Sequence, residues 1–361
     1  MAKQFDNLFP QITDFANLHL AWRKAARGKR FQQAASAFEM NLEDNLIRLQ
    51  RQLQEQGWQP GGYRSFRIRD PKPRLVSAAP FADRVVHHAL CNVLEPIYEP
   101  VFINDSYANR QGKGTHAALN RAQKFIRSYS FVLQCDIRQY FPSIDHEKLE
   151  SILARKILDR RTMRLIRQII KSGEGVLRDE YEMVWFPGDG LFAPLRPRGL
   201  PIGNLTSQFW SNVYLNELDQ FLKRELRCRA YLRYVDDFLL FSESKKQLWQ
   251  WKKEITAFLA KLRLSLHDRS STVYPVRNGV PFLGFRVFAD YRRLKRKNGV
   301  NFSRRLRRNY RAYARGELHF DDLSAKVRGW VAHADHGDTW GLRTSLFRDP
   351  LPKRLPGQSQ R

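Results

Sequence analysis

Three aspartates stand where strands should end. Asp136 closes the run Phe131-Val-Leu-Gln-Cys135, and Asp236-Asp237 sit between Tyr231-Leu-Arg-Tyr-Val235 and Phe238-Leu-Leu-Phe241. Two short apolar stretches this close together read as a tight hairpin, whose tip normally carries Gly or Asn. Paired carboxylates there weaken a sheet and repel each other, a local inconsistency of the kind expected at functional sites. Two divalent cations about 3.5–4 Å apart would remove the repulsion, activate a 3′-hydroxyl and stabilise a leaving pyrophosphate. A solvated acidic turn is the alternative for an Asp-Asp pair alone. Apolar strands on both sides and a third aspartate on another strand favour the metal chemistry.

These groups need a scaffold. Phe131-Val-Leu133, 231–235 and 238–241 read as short buried strands. Thr115 is a candidate cap for a helix with Ala118, Ala122, Phe125 and Ile126 on one face. Upstream, residues 15–58 read as helical, with Phe38, Leu42, Leu46, Leu49 and Leu53 at helical spacing. Gly57, Pro60, Gly61 and Gly62 stop that run. Tyr63 to Leu75 reads as short strands around a turn at Asp70-Pro71, with a helix from about Phe81 to Leu94. Helices are expected over 146–157 and 161–171, the first capped by Asp145. A loop-rich stretch covers 176–199, a helix runs from Ser207 to Leu226, and an amphipathic one passes through Leu248, Ile255, Phe258, Leu259 and Leu262. Asn278-Gly279 between apolar stretches signals a hairpin.

Composition narrows the partner. The chain of 361 residues carries 63 Lys and Arg against 36 Asp and Glu, a net charge of +27, and so favours a polyanion. A hydrophobic fraction of 42% suffices for a packed core, and the length suggests two or three structural units. There is no apolar run near the ~20 residues needed to span a bilayer. The start, MAKQFDNLFPQITDF, lacks a signal-peptide pattern. The expectation is a cytoplasmic protein without a membrane partner. Cys91, Cys135 and Cys228 are isolated and read as buried apolar thiols. After Phe285 the composition changes, and a boundary is placed near 287. Residues 286–315 are Arg-rich with Tyr291, Phe302 and Tyr310 interleaved. Basic groups for phosphates and rings for stacking suit RNA or a hybrid duplex, and a solvated charged helix is the alternative. His333 and His336 have metal-ligand spacing but no partner ligand nearby in the sequence. Asn109 to Thr115 resembles a phosphate loop without its full spacing, and reads better as a basic loop entering a helix.

Tyr234-Val235-Asp236-Asp237 resembles the YxDD box of reverse transcriptases. Asp136-Ile-Arg-Gln-Tyr-Phe141 is similar to their first catalytic-aspartate motif, and Arg74 to Arg84 to the fingers motif before it. Gly199-Leu-Pro-Ile-Gly-Asn-Leu-Thr-Ser-Gln208 stands in the place of the LPQGxxxSP box, and Phe282-Leu-Gly-Phe285 resembles the primer grip. All five occur in the family's order.

The resemblance implies an α+β right-hand polymerase with fingers, a palm of antiparallel sheet backed by helices, and a helical thumb. Residues 1–62 would be an N-terminal helical extension, 63–130 fingers, 131–286 palm with a fingers insertion near 146–200, 287–350 a basic thumb, and 351–361 a disordered tail. It maps two magnesium ions, with manganese as a substitute, to Asp136, Asp236, Asp237 and the Ile137 carbonyl. Arg69, Arg74, Phe141, Ile202 and Gly203 would bind the deoxynucleotide, with Phe141 as steric gate and Arg67 and Lys72 as weaker candidates. Phe282, Leu283 and Gly284 would grip the primer, and Arg304, Arg305, Arg307 and Arg308 the nucleic acid. Residues 264–272 lack the lysine often found there. Arg269 is a stand-in, and the proton donor stays open.

Ile202 and Gln208 depart from the common box and resemble the reverse transcriptases of diversity-generating retroelements. That resemblance implies error-prone cDNA synthesis on a structured template-repeat RNA, and an RNA/cDNA duplex and dNTPs as partners. It also implies an accessory variability protein (a basic barrel-shaped oligomer) and a prokaryotic or phage source. A group II intron or retron type remains the alternative, as does a non-catalytic RNA-binding protein of the same fold. The intact aspartates argue against the last, and Phe141 against RNA synthesis.

Overall fold

The computed structural model describes residues 3–68 and 73–348. The chain begins with helices α1 (Phe9–Thr13), α2 (Phe15–Ala26), α3 (Gln33–Met40) and α4 (Leu42–Gln54). The helical run expected over 15–58 is therefore broken twice. Gly28 turns the chain at φ +69 after α2, and Asn41, at φ −124 and ψ 52, separates α3 from α4. Leu46, Leu49 and Leu53 still form the buried stripe of α4, because residues three and four apart share a helix face.

Strands β1 (Arg64–Ile68) and β2 (Arg74–Ala78) pair antiparallel. The turn expected at Asp70-Pro71 lies outside the described residues, as do Arg69 and Lys72. Helix α5 (Phe81–Tyr98) then packs on α2. Helix α6 (Thr115–Ser128), strand β3 (Phe131–Asp136) and helices α7 (Tyr140–Ser143), α8 (His146–Ala154) and α9 (Arg160–Ser172) follow. Asp145 caps α8, accepting from the Lys148 amide at 2.9 Å. After the loops come α10 (Leu205–Gln220), which runs into a π-helical turn, then β4 (Tyr231–Tyr234), β5 (Asp237–Ser242), α11 (Lys245–Lys261) and β6 (Thr272–Pro275).

The four strands form one antiparallel sheet in the order β4-β5-β3-β6. Both faces are covered. Leu133, Cys135, Tyr231, Phe238 and Leu240 share a core with α5, α10 and α11. Val132, Leu232, Leu239 and Phe241 share another with α6 and the second sheet. Burial on both sides is why these strands read as continuous apolar runs rather than alternating ones. All three cysteines are buried and free.

That second sheet contains β7 (Val280–Phe282), β8 (Phe285–Val287) and β9 (Arg292–Leu294), in that order. Asn278-Gly279 does not join paired strands. A 3-10 turn over Val276–Asn278, followed by Gly279 at φ +77, carries the chain from one sheet to the other. The hairpin turn is Leu283-Gly284 instead, with φ +43 and +90, as a primed two-residue turn requires. Pairing of β8 with β9 continues past residue 287.

Helices α12 (Arg296–Ala314), α13 (Phe320–Ala334) and α14 (Trp340–Leu346) complete the described chain. Phe302 stacks on Trp330 with ring centroids 3.8 Å apart and planes 4° from parallel. The tail expected over 351–361 lies outside the described residues. Among them, no helix is long and apolar enough to cross a membrane.

Candidate active site

The site is built on the β4–β5 turn. Tyr234 pairs with Asp237, leaving Val235 and Asp236 as a two-residue loop. Val235 has φ +56. A primed turn needs positive φ at this first position and favours glycine there. A β-branched residue in that conformation is strained, at a cost of order 1–3 kcal/mol. The strain has a location with chemical meaning, because it immediately precedes Asp236.

β3 delivers the third carboxylate. Asp136 stands directly opposite Asp237 in the β3–β5 register, and all three aspartates are half-buried. The segment after α11 runs alongside. The His267 amide donates to the Asp136 carbonyl at 2.8 Å, and the Arg138 amide to the Ser265 carbonyl at 2.9 Å. The Ser270 hydroxyl lies 3.4 Å from Asp136 Oδ2. Ile137 bridges Leu266 with its side chain buried. Arg269, named from the sequence as a stand-in for a lysine, is exposed in this same segment.

Hard carboxylate oxygens from adjacent strand ends, with a main-chain carbonyl next in sequence, are the donor set that magnesium or manganese prefers. Among the described residues the carboxylates are not closed into a tight cluster of three or more acidic, His or Cys ligands. The residues present fit a divalent cation.

The residues expected to bind a nucleotide come from distant segments. Phe141 lies half-buried in α7 beside Tyr140, whose hydroxyl donates to the Ser211 carbonyl at 2.6 Å. The Leu200 amide donates to the Phe141 carbonyl at 2.9 Å. Asn204 donates to the Ser77 carbonyl at 2.9 Å, tying the box to β2. Gly203 has φ +115, and a Cβ there would meet Val76 Cγ1 at 2.8 Å, so this position is restricted to glycine by both backbone and space. Arg74 and Ile202 then line one cavity of about 250 Å³ with Gln139, Pro142 and Glu180. Arg67 pairs with Glu180 at 2.6 Å.

Thr115 does not cap α6. Gly114, at φ +109, takes the cap position without a side chain, and Thr115 is the first helical residue. Its hydroxyl lies 3.1 Å from the Tyr234 hydroxyl instead, which ties β4 to α6.

Residues 68–287 match the family described as reverse transcriptase (RNA-dependent DNA polymerase). The chain belongs to the reverse transcriptase family. Its architecture is that of an α+β right-hand polymerase. Similar curated proteins include an uncharacterised 91 kDa protein in a cob intron of Schizosaccharomyces pombe, 32% identical over 45% of this chain and 17% of its own length. Protein YkfC of Escherichia coli is 27% identical over 60% of this chain and 63% of its own length. The group II intron-encoded protein LtrA of Lactococcus lactis is 23% identical over 60% and 44%. The chain thus spans less than two thirds of the length of each.

In this member of the family the expected primer-grip residues form the β7–β8 turn. Phe282 is buried, Leu283 is half-buried, and the Gly284 carbonyl accepts from the Lys295 amide at 3.0 Å and from Asn298 Nδ2 at 3.2 Å. Helix α12 therefore starts on the β7–β8 turn. Arg304, Arg305, Arg307 and Arg308 project from its exposed side, while Phe302 and Leu306 face inward.

His333 and His336 pack against the ring of His116, in the first turn of α6, but among the described residues these three form no group that could hold a metal ion. The His116 ring centroid lies 3.4 Å from that of His336 and 6.0 Å from that of His333. Burial, with His336, His333 and Arg292 close by, holds the His116 imidazole below its ordinary pKa. Nothing in the local sequence signals this, because the cluster forms only when α13 packs back on α6.

Proposed function

We propose that this chain is an RNA-directed DNA polymerase that makes error-prone cDNA from a template-repeat RNA in a diversity-generating retroelement. The polymerase reading rests on the register that sets Asp136 opposite Asp237, with Asp236 at the neighbouring turn. Magnesium or manganese bound there, as two ions, would activate the primer 3′-hydroxyl and stabilise the leaving pyrophosphate. The chain's own residues do the positioning. Asp136, Asp236, Asp237 and the Ile137 carbonyl would hold the cations. Arg74, with Arg69, takes the triphosphate oxygens through its forked donors. Phe141 occupies the space a 2′-hydroxyl would need. Phe282, Leu283 and Gly284 present the primer end, and the α12 arginines bind phosphates of the duplex.

The retroelement reading is supported by Ile202 and Gln208 in the fourth box. It carries with it a prokaryotic or phage source and an accessory variability protein as partner. A group II intron-type role is the second reading, favoured by the name of the Lactococcus relative.

The deciding experiment is primer extension on an adenine-containing RNA template, followed by sequencing of the cDNA. Extension by the natural protein and none by Asp236→Asn/Asp237→Asn is expected, with errors concentrated at template adenines. Absence of extension by the natural protein sinks the polymerase reading. Faithful copying of adenines sinks the retroelement reading alone and leaves the intron-type one.

A further inference from the structure

The catalytic turn is held from below by a buried ion pair. Arg233, in the strand that leads into the turn, and Asp219, on α10, are both fully buried. Arg233 Nε and Nη2 donate to the two Asp219 oxygens at 2.8 and 2.7 Å. Tyr231 adds a hydrogen bond to Asp219 at 2.6 Å. Arg233 Nη1 then reaches the Val235 carbonyl at 3.1 Å and Asn212 Oδ1 at 3.2 Å. Asn212 is itself fixed by donating to the Ala108 carbonyl at 2.8 Å.

An arginine on a strand with no exposed surface is an expensive choice, since a buried charge needs both a partner and complete hydrogen bonding. Well-packed apolar residues would serve stability as well or better. What an apolar pair cannot do is hydrogen-bond the Val235 carbonyl. That carbonyl belongs to the strained residue at φ +56, directly before Asp236. With the peptide held at its oxygen, the turn cannot relax by rotating Val235 to negative φ, a rotation that would re-aim the Asp236 side chain.

We propose that Arg233, held by Asp219 and Asn212, is a positioning residue that locks the Val235–Asp236 peptide and so sets the direction of the Asp236 carboxylate toward Asp136. Because α10 begins just after Ile202 and Gly203, the same helix ties the nucleotide wall to the catalytic turn. The proposal rests on the polymerase reading above.

The test compares the natural protein with Arg233→Lys and with Arg233→Met/Asp219→Leu, the second removing both charges so that neither is left buried alone. Each is checked for fold by circular dichroism and RNA binding before primer extension. Loss of the turn lock predicts a fall in kcat of about tenfold to a hundredfold, as expected for a misplaced catalytic group. KM for dNTP and the RNA Kd should stay near their natural values, and half-saturation by magnesium should move to higher concentration. Adding Val235→Gly should restore part of the kcat to either variant, because glycine takes positive φ without strain. A core-packing role would move neither the magnesium dependence nor respond to that glycine. A folded double variant with natural kcat and magnesium dependence overturns the inference and leaves the polymerase reading intact. A natural protein that never extends a primer removes the polymerase reading instead.

Discussion

The amide of Ser77 donates a 2.8 Å hydrogen bond to the carbonyl of Ile202. This bond pins β2 against the fourth box, so Ile202 and Arg74 wall the same cavity. Glutamine at 202 would bring a hydrogen-bonding group to that wall, whereas isoleucine offers only shape. An apolar contact discriminates by about 1–3 kcal/mol at best. One polar contact worth about 1 kcal/mol alters selectivity several-fold. Ile202→Gln should therefore lower the error frequency several-fold, most visibly opposite template adenine. Sequenced cDNA from both proteins on one template checks this, and equal error frequencies would remove Ile202 from the mechanism.

Phe141→Ala should admit ribonucleotides. Tyr140, anchored to the Ser211 carbonyl, keeps α7 in place, so the change is confined to the volume the ring occupied. Discrimination against ribonucleotides should fall by about tenfold or more, the range open to a steric pocket. Competition between dNTP and rNTP at one template position measures it. Unchanged discrimination would mean that the ring is only packing against the core.

Neutralising Arg304, Arg305, Arg307 and Arg308 to Gln should weaken RNA binding and flatten its salt dependence. All four are exposed, while Phe302 and Leu306 hold the helix from its other side, so the fold should survive. Each lost phosphate contact reduces the log–log slope by about one unit. A titration of RNA affinity against salt reads the slope directly. No change in slope would make this face a solvated surface.

Stability should fall on acidification through His87. Burial above all, then His88 and Arg84 nearby, pushes its pKa down to about 3. The unfolded imidazole, near 6.5, takes a proton that the folded one refuses. Stability from this group is thus complete above about pH 6.5 and declines as pH falls from there toward 3, by roughly 2 kcal/mol at pH 5. His88, lowered to about 4, acts in the same direction. Urea midpoints at pH 7.5 and 5.0 should differ less in His87→Leu, whose parent Nδ1 has no hydrogen-bond partner among the described residues. Identical pH dependences would exclude His87 as the source.

The placement of Asp136, Asp236 and Asp237 at adjacent strand ends was legible because its signal is local. Apolar runs flank Asp236-Asp237 so closely that only a tight turn fits, and Asp136 ends a third such run. The meeting of β2 with Ile202 was not legible in local sequence, since it is made by tertiary hydrogen bonds that no periodicity encodes. Arg233 carried a signal that went unread. A cation inside the apolar run Tyr231-Leu-Arg-Tyr-Val235 demands a buried acid, and Asp219, lying between buried Leu218 and Leu222, supplies it. The β7–β8 turn was hidden because Leu283, at φ +43, reads as one more apolar residue of a strand. Asn278-Gly279 had the right turn residues, but the stretches beside it belong to different sheets.

The pairing of β8 with β9 bears on engineering. β8 is the middle strand of its sheet, hydrogen-bonded on both sides. A chimera that exchanged only the basic helices, with its splice between Val287 and Arg292, would depend on the incoming segment to resupply β9 in register. Failing that, β8 would expose a row of unpaired amides and carbonyls, a template for joining a second chain. The portable unit therefore starts before Val280 and carries the β7–β8 turn with it. A shorter graft should appear as aggregated protein before it appears as altered polymerisation.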